Sequence, residues 1–141
     1  MNFGFTRKWP NLHWPPWRSS DERQVLGRRG ERAAAKFLRR RGHWILARNY
    51  RCLLGEIDLV CSDGTSLIFV EVKTRSDPHI PGLTDTGLQV QWSRVGRAAK
   101  FFLKDTGAQP RPCRFDLIIV FWESSQKPHI EHFPDAYHVS A

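Results

Sequence analysis

The chain has 141 residues, of which 40% are hydrophobic, enough for a single domain with a core of its own. Its three cysteines, Cys52, Cys61 and Cys113, are widely spaced and odd in number, which argues against a disulfide framework and against C-x-x-C metal or redox sites. No apolar stretch approaches the ~20 residues of a transmembrane helix, and the N-terminus lacks the apolar core of a secretory signal. We therefore expect a cytoplasmic protein without a membrane partner.

The net charge of +8 is concentrated in the first third of the chain. Residues 1–42 hold 11 Lys and Arg against 3 Asp and Glu, whereas residues 43–141 hold 11 of each. A localised basic region is typical of proteins that bind the phosphate backbone of nucleic acids. A solvated helix face or a solubility tail has the same composition, so the charge alone leaves both interpretations open.

The basic region divides into an arm and a helix. Residues 1–19 are predicted to be an irregular arm outside the domain that we assign to residues 20–141; its tryptophans, arginines and prolines suit either base stacking or a poorly ordered tail. Residues 20–41 have apolar side chains at helical spacing and are followed by Gly42, a common residue just after a helix. Six arginines of this helix are candidates for nucleic-acid binding: Arg28, Arg29, Arg32, Arg39, Arg40 and Arg41.

The remaining segments alternate between strand and helix patterns. Strands are predicted at residues 43–50, 56–61, 67–74, 115–122 and 130–133, and a second helix at residues 89–103. The turn signal Ser62-Asp63-Gly64-Thr65 predicts that the second and third strands form a hairpin. The nearly continuous apolar run at 115–122 is typical of a strand buried on both faces. The order α-β-β-β-α-β-β predicts a single-domain α/β fold, a mixed central sheet flanked by helices.

Charged residues interrupt the two hairpin strands in the motifs Gly55-Glu56-Ile57-Asp58-Leu59 and Glu71-Val72-Lys73. Alternate residues of a strand share a face. The charged members of each motif should therefore share a face, while Val72 takes the opposite face of its strand and Ile57 and Leu59 that of theirs.

This arrangement predicts a nuclease-like group made of Asp58, Glu71 and Lys73. Carboxylates gathered on one face suit a hard divalent cation, and a neighbouring lysine can position water or offset developing negative charge. Glu and Lys on strands are also common as solvated or cross-strand pairs, which remains the alternative interpretation. Within the arginine-rich helix, Glu31 either pairs with Arg28 or Lys36 or points its carboxylate at the site.

Several motifs in this order resemble the YraN-type family of small bacterial proteins. They are Gly30-Glu31, Ala47-Arg48-Asn49-Tyr50, Gly55–Leu59, Phe69–Arg75 and Arg114-Phe115-Asp116, all within residues 27–137. That family is similar to the PD-(D/E)XK nuclease superfamily, which includes type II restriction enzymes and archaeal Holliday-junction resolvases. The resemblance implies a restriction-endonuclease-like fold and cleavage of nucleic acid, DNA more than RNA, with Mg or Mn as the cofactor.

The resemblance also implies roles for single residues. Asp58 and Glu71 look like the two metal ligands, and Lys73 looks like the lysine that positions or activates the attacking water. Glu31 resembles the helix carboxylate that some superfamily members add to the metal shell. Glu56 belongs to the family's own pattern, with a supporting role.

Two further positions concern the contact with phosphate. The family usually has a lysine where this chain has Gln91, so a cation that touches the substrate is missing there, and Gln91 is left as a site-support candidate. Arg75, at the end of the family motif, is a candidate for binding nucleic acid. Asp116 is expected to form an ion pair with Arg114 or a lysine.

A second function from another class stays open at this point. The arginines would hold nucleic acid while the acidic cluster is inactive or structural, which describes a non-catalytic binding module or an accessory protein in DNA or RNA processing. Metal dependence separates the two, because simple binding requires none. The sequence is compatible with a homodimer as well as a monomer.

Overall fold

The computed structural model describes residues 22–75, 86–108, 110–122 and 127–138. This part contains the predicted elements in the predicted order: α1 (Glu22–Arg40), β1 (Trp44–Cys52), β2 (Gly55–Ser62), β3 (Leu67–Arg75), α2 (Thr86–Thr106), β4 (Cys113–Phe121) and β5 (His129–Tyr137). The N-terminal arm, residues 76–85 and the side chains of Arg75 and Gln91 lie outside the description. The predicted boundary between arm and domain stays a prediction.

The five strands form one mixed sheet in the order β1-β2-β3-β4-β5. Neighbouring strands are antiparallel except β3 and β4, which are parallel and are connected through α2. The helices cover opposite faces, because the buried side chains of α1 and of α2 belong to two separate core clusters that share no strand residue. The predicted α/β fold, a mixed sheet flanked by helices, is confirmed.

Local chemistry explains the turn between β2 and β3. The Asp63 carboxylate accepts hydrogen bonds from the backbone N–H groups of Ser66 (2.7 Å) and Thr65 (2.9 Å), and these bonds lower the pKa of Asp63 to about 2. Gly64 has a φ of +100°, a conformation that favours glycine. The predicted hairpin is confirmed by the pairing of Ser62 with Leu67.

Helix α1 ends as its sequence predicts. Gly42 adopts a φ of +85° and donates its N–H to the carbonyl oxygen of Arg39 at 3.0 Å, while His43 donates to that of Leu38 at 3.0 Å. These two bonds form a Schellman motif, which satisfies carbonyl groups at the helix end.

Strand β5 is longer than the predicted segment 130–133 because a buried carboxylate fastens its second half. Asp135, with a φ of +55°, donates its backbone N–H to Asp116 at 2.9 Å. The pairing shifts by a bulge between Phe115 and Leu117, and β5 then continues to Tyr137. Neither helix in the described ranges is long and apolar enough to cross a membrane.

Candidate active site

The candidate site lies where β2 and β3 separate. Leu59 and Val70 form the last pair of the β2–β3 ladder; beyond it β3 continues beside β4, and β2 continues beside β1. Asp58 and Glu71 are the next residue on each strand. The pairing of Leu59 with Val70 thus places the carboxyl groups of Asp58 and Glu71, one from each strand, at the point where the two strands diverge.

The Asp58 side chain replaces a backbone hydrogen bond that is missing between β2 and β3 at this point. Its Oδ2 accepts a hydrogen bond from the backbone N–H of Val72 at 2.8 Å. A side chain therefore satisfies a β3 amide that the departing β2 backbone no longer reaches. This bond fixes the Asp58 carboxylate beside the Glu71-Val72-Lys73 segment.

The face alternation predicted for β2 is wrong at Asp58. Ile57 packs in the cluster on the α2 side of the sheet, whereas Leu59 packs in the cluster on the α1 side, although the two residues are only two apart. On β1, Asn49 is the residue opposite Asp58, and it has a φ of +48°. The hairpin backbone is irregular at this position, which breaks the simple period of two.

Glu71 and Lys73 share a face, as predicted. Lys73 Nζ lies 3.2 Å from Glu71 Oε1, and the two side chains are only 17% and 11% exposed. Val72 between them packs on the opposite, α1 side. The site thus contains a largely buried lysine paired with a largely buried glutamate.

The two central carboxyl groups are held in an environment that disfavours their ionisation. Burial, followed by the negative charge of Asp58, raises the pKa of Glu71 to about 8, although the adjacent Lys73 acts to lower it. Burial likewise raises the pKa of Asp58, with the Val72 N–H acting in the opposite direction. The two groups also hydrogen-bond to each other, as a carboxyl and a carboxylate that share a proton can do.

Helix α1 contributes a third carboxyl group through a close helix–strand contact. A side chain at Gly30 would collide with Thr74, so only glycine lets the helix lie this near β3. The next residue, Glu31, hydrogen-bonds to Asn49; burial, followed by the charge of Asp58, raises its pKa to about 7. Of the two predicted interpretations of Glu31, these contacts correspond to the carboxylate directed at the site.

Two residues lie at the rim of the site. Glu56 is exposed and forms an ion pair with Arg51 across the hairpin at 3.5 Å, and its charge acts to raise the pKa of both Asp58 and Glu31. The sequence predicted no site role for Asn49, the second residue. Asparagine in a strand motif tolerates the left-handed conformation, and that was the available signal for a special backbone position.

The six arginines of the basic helix, all exposed, do not form a single surface. Three of them lie within one turn of Gly30 and hence near the site: Arg28, Arg29 and Arg32. Arg39, in contrast, lies about 12 Å from Glu31 along the helix axis. The last three arginines, Arg39, Arg40 and Arg41, are therefore remote from the carboxyl groups.

Two of these arginines also have aromatic partners within the fold. The guanidinium group of Arg29 lies 4.4 Å from the ring centre of Trp122, and that of Arg41 lies 4.3 Å from the ring centre of Phe37. Such stacking orients the guanidinium plane while leaving its edge able to donate hydrogen bonds.

The donor set suits a hard divalent ion. Within the described ranges, no three His, Cys, Asp or Glu side chains are grouped closely enough to hold a metal by themselves. Mg²⁺ is commonly bound through one or two carboxylates, with waters and substrate phosphate completing the shell, and Mn²⁺ takes the same oxygen donors. Asp58 and Glu71 fit that pattern, with Glu31 as an outer carboxylate.

Comparisons with known proteins agree with the motifs. Residues 30–120 match the model of "Uncharacterised protein family UPF0102". The chain is 40% identical over 119 residues to a UPF0102 protein of Pelotomaculum thermopropionicum, covering 84% of this chain and 99% of the relative. It is 42% identical over 117 residues to one of Anaeromyxobacter dehalogenans, covering 83% and 87%. The chain belongs to the UPF0102 family, which confirms the family resemblance predicted from its motifs.

The chain is also similar to a solved structure, Hjc of Archaeoglobus fulgidus, described as a Holliday junction resolvase from an archaeal hyperthermophile. The two chains share 17% identity with a TM-score of 0.41, over 75% of this chain and 73% of the other.

Proposed function

We propose that this UPF0102 protein is a nuclease of the restriction-endonuclease-like class that hydrolyses phosphodiester bonds with the help of Mg²⁺ or Mn²⁺. The observation behind the proposal is that buried Glu71 lies beside half-buried Asp58 and within 3.2 Å of Lys73. Buried carboxyl groups with raised pKa values oppose folding unless a partner neutralises them. Groups of this kind concentrate at functional sites, which favours a site built for a cation.

Each residue has a distinct part in the proposed reaction. Asp58 and Glu71 bind the metal ion, and Glu31 supports the shell from α1. A bound Mg²⁺ or Mn²⁺ ion would supply Lewis-acid activation of the scissile phosphate and of water. Lys73, held 3.2 Å from Glu71, donates a hydrogen bond to the attacking water or to the phosphate oxygen on which negative charge develops.

We place the nucleic-acid backbone along the first half of α1. Arg28, Arg29 and Arg32 are exposed and lie within one turn of Glu31 along the helix axis, and we assign them contacts with phosphates that flank the scissile bond. We also propose that Arg75 of β3 contacts the nucleic acid and that Gln91 of α2 supports the site. DNA is the proposed substrate over RNA, and the protein acts as a monomer or as a homodimer, which would cut both strands.

A non-catalytic binding module is the second candidate. It is favoured by the position of Arg39, Arg40 and Arg41, which are exposed and remote from the carboxyl groups, so exposed basic residues lie well beyond the site. Binding by such a surface needs no metal and weakens steeply as salt concentration rises.

Cleavage assays separate the two candidates. Labelled single-stranded, duplex, flap and four-way-junction DNA, with matching RNA, would be incubated with Mg²⁺, Mn²⁺ or EDTA. We expect metal-dependent cleavage, and a rate lower by about a thousandfold in Glu71→Gln and in Lys73→Met, since each loses a group that acts in the transition state. The controls are Glu131→Gln and Lys100→Met, which remove the same charges from exposed positions.

The outcomes point in different directions. Cleavage by the Glu71 and Lys73 variants at the wild-type rate would exclude the proposed chemistry. Salt-sensitive binding without cleavage in any metal would favour the binding module. Circular dichroism of each variant checks that the fold is intact.

A further inference from the structure

Two leucines project from the hairpin that forms one side of the site. Leu53 and Leu54 make the two-residue loop between the paired residues Cys52 and Gly55. Leu53 is 105% exposed and Leu54 is 50% exposed. The tip of the β1–β2 hairpin therefore presents two adjacent apolar side chains to solvent.

Neither leucine is explained by the turn or by the core. Two-residue hairpin loops favour type I′ or II′ turns, which require positive φ and hence Asn, Asp or Gly. Among the described residues the positive φ values belong to other positions, so Leu53 and Leu54 form the turn without that geometry. Single exposed leucines are common on protein surfaces, but two side by side at a projecting loop suggest a contact.

The hairpin is held firmly against α2. Gly55 lies so close to the backbone carbonyl of Arg94 that any side chain there would collide with it. Further along the hairpin, the Tyr50 ring packs edge-on against Phe102 with 5.1 Å between ring centres. A tip supported in this way keeps its shape when pressed against a partner.

The tip is also close to the proposed site and to an exposed arginine of α2. Asp58 is the fourth residue after Leu54, a distance of about 13 Å along an extended strand. Arg51, just before the tip, forms an ion pair with Glu56 just after it, so these two residues add no net charge. Arg94 of α2 is exposed, and its backbone lies against Gly55. Apolar side chains beside an exposed arginine match a nucleic acid, whose stacked bases are apolar and whose backbone is anionic.

We propose that Leu53 and Leu54 form a wedge that enters an unstacked base step of DNA, so that the enzyme prefers a boundary between duplex and single strand over continuous duplex. The proposal rests on the nuclease function above. Apolar side chains inserted between base steps are a known means of holding distorted DNA, and an already unstacked step removes most of the cost of insertion. The distance of about 13 Å places the cut about four stacked nucleotides from the boundary.

The test compares binding of forked and continuous DNA of equal length in EDTA, with 2-aminopurine at the boundary to report unstacking. The full-length protein and the double variant Leu53→Ser/Leu54→Ser are titrated at low salt. The control is Phe101→Ser, which removes an exposed aromatic side chain from α2. We expect the wild type to bind the fork about tenfold more tightly than the duplex and to increase the fluorescence. The double variant should lose both effects while keeping its affinity for duplex.

Each result has a distinct meaning. An unchanged preference for the fork, or an unchanged fluorescence increase, in the double variant would overturn the wedge and leave the nuclease proposal standing. Equal wild-type affinity for fork and duplex would do the same. No binding of any nucleic acid by the wild type would overturn both proposals. Cleavage about four nucleotides from the boundary, shifted or scattered in the double variant, would support the wedge.

Discussion

The sheet holds two buried acidic regions that differ in how their charges are satisfied. Asp116 is fully buried and accepts two hydrogen bonds from Arg114, at 2.8 and 3.0 Å, one from Asp135 N–H at 2.9 Å, and a contact of 2.8 Å with His132 Nε2. Burial acts to raise the pKa of Asp116, but these partners outweigh it, and the pKa is lowered. The predicted ion pair with Arg114 is confirmed.

The carboxyl groups at the divergence of β2 and β3 have the opposite balance. Asp58 and Glu71 face each other with Lys73 beside Glu71, and burial raises the pKa of both acids. A carboxylate surrounded by donors serves the fold, whereas acids with few donors and raised pKa values concentrate at functional sites. The contrast indicates that position on the sheet does not decide the role of a buried acid; the number of donors around it does.

The largest expected effect comes from a substitution at Asp116, the buried acid that is surrounded by hydrogen-bond donors. Asp116→Asn should lower the free energy of unfolding by about 3 kcal/mol, because Arg114 loses its ionic partner and the carboxylate acceptors are reduced. Urea denaturation at pH 7 measures the loss. Asp63→Asn is the control, since it removes another Arg114 partner, 4.0 Å away, at an exposed site. A loss below that of Asp63→Asn would contradict a structural role for Asp116.

The pH dependence of the same variant gives a second check. A lowered pKa means that the Asp116 carboxylate contributes stability above its unfolded pKa of about 3.9 and loses that contribution as the pH falls through the lower, folded value. The gap between wild type and Asp116→Asn should therefore close as the pH falls below 4. A gap that persists in acid would point to packing instead of charge.

The contribution of Glu71 to stability should depend on pH in the opposite direction, with a smaller change in the free energy of unfolding. Its pKa is raised to about 8 in the fold, so the wild type loses stability as the pH rises from the unfolded value toward and through 8. Glu71→Gln does not titrate and should be more stable than the wild type by about 2 kcal/mol at pH 8.5 in EDTA, with little difference at pH 5. Thermal unfolding across this range measures it; a variant less stable at pH 8.5 would show that Glu71 supports the fold.

The smallest effect concerns the bend opposite Asp58. Asn49→Ala should cost about 1 kcal/mol, because alanine tolerates a φ of +48° poorly and cannot hydrogen-bond to Glu31. Asn49→Gly keeps the backbone freedom and loses only the side-chain bond, so its loss should be smaller. Chemical denaturation compares the two variants, and equal losses would assign the whole effect to the hydrogen bond.

The sequence predicted the order of all seven elements because hydrophobic periodicity and turn chemistry are local. The shared face of Glu71 and Lys73 followed from strand alternation alone. Alternation failed between Ile57 and Leu59, opposite the point on β1 where Asn49 adopts a left-handed conformation. That event depends on two strands together, so a single strand's pattern does not contain it.

Other features depended on contacts that are distant in sequence. The second half of β5 is held by the hydrogen bond from Asp135 to Asp116, which lies nineteen residues earlier in the chain. Pro134, a residue typical of turns, predicts the end of a strand there instead. The contact of Gly30 with Thr74 determines which arginines of α1 lie near the site, and the sequence of the helix alone does not contain this contact. The raised pKa values likewise require the assembled sheet, since burial is their main cause.

The parallel pairing of β3 with β4 has a consequence for how the chain folds. The β2–β3 hairpin closes through a short turn, so it can form within microseconds and bring Asp58 and Glu71 together while both are still hydrated. Strand β4 joins β3 only after the whole α2 connection is in place, and such long-range pairing is slow. Desolvation of the two acids is then a late event in folding. Replacing them by neutral residues would chiefly slow unfolding, and the rate of folding would change little.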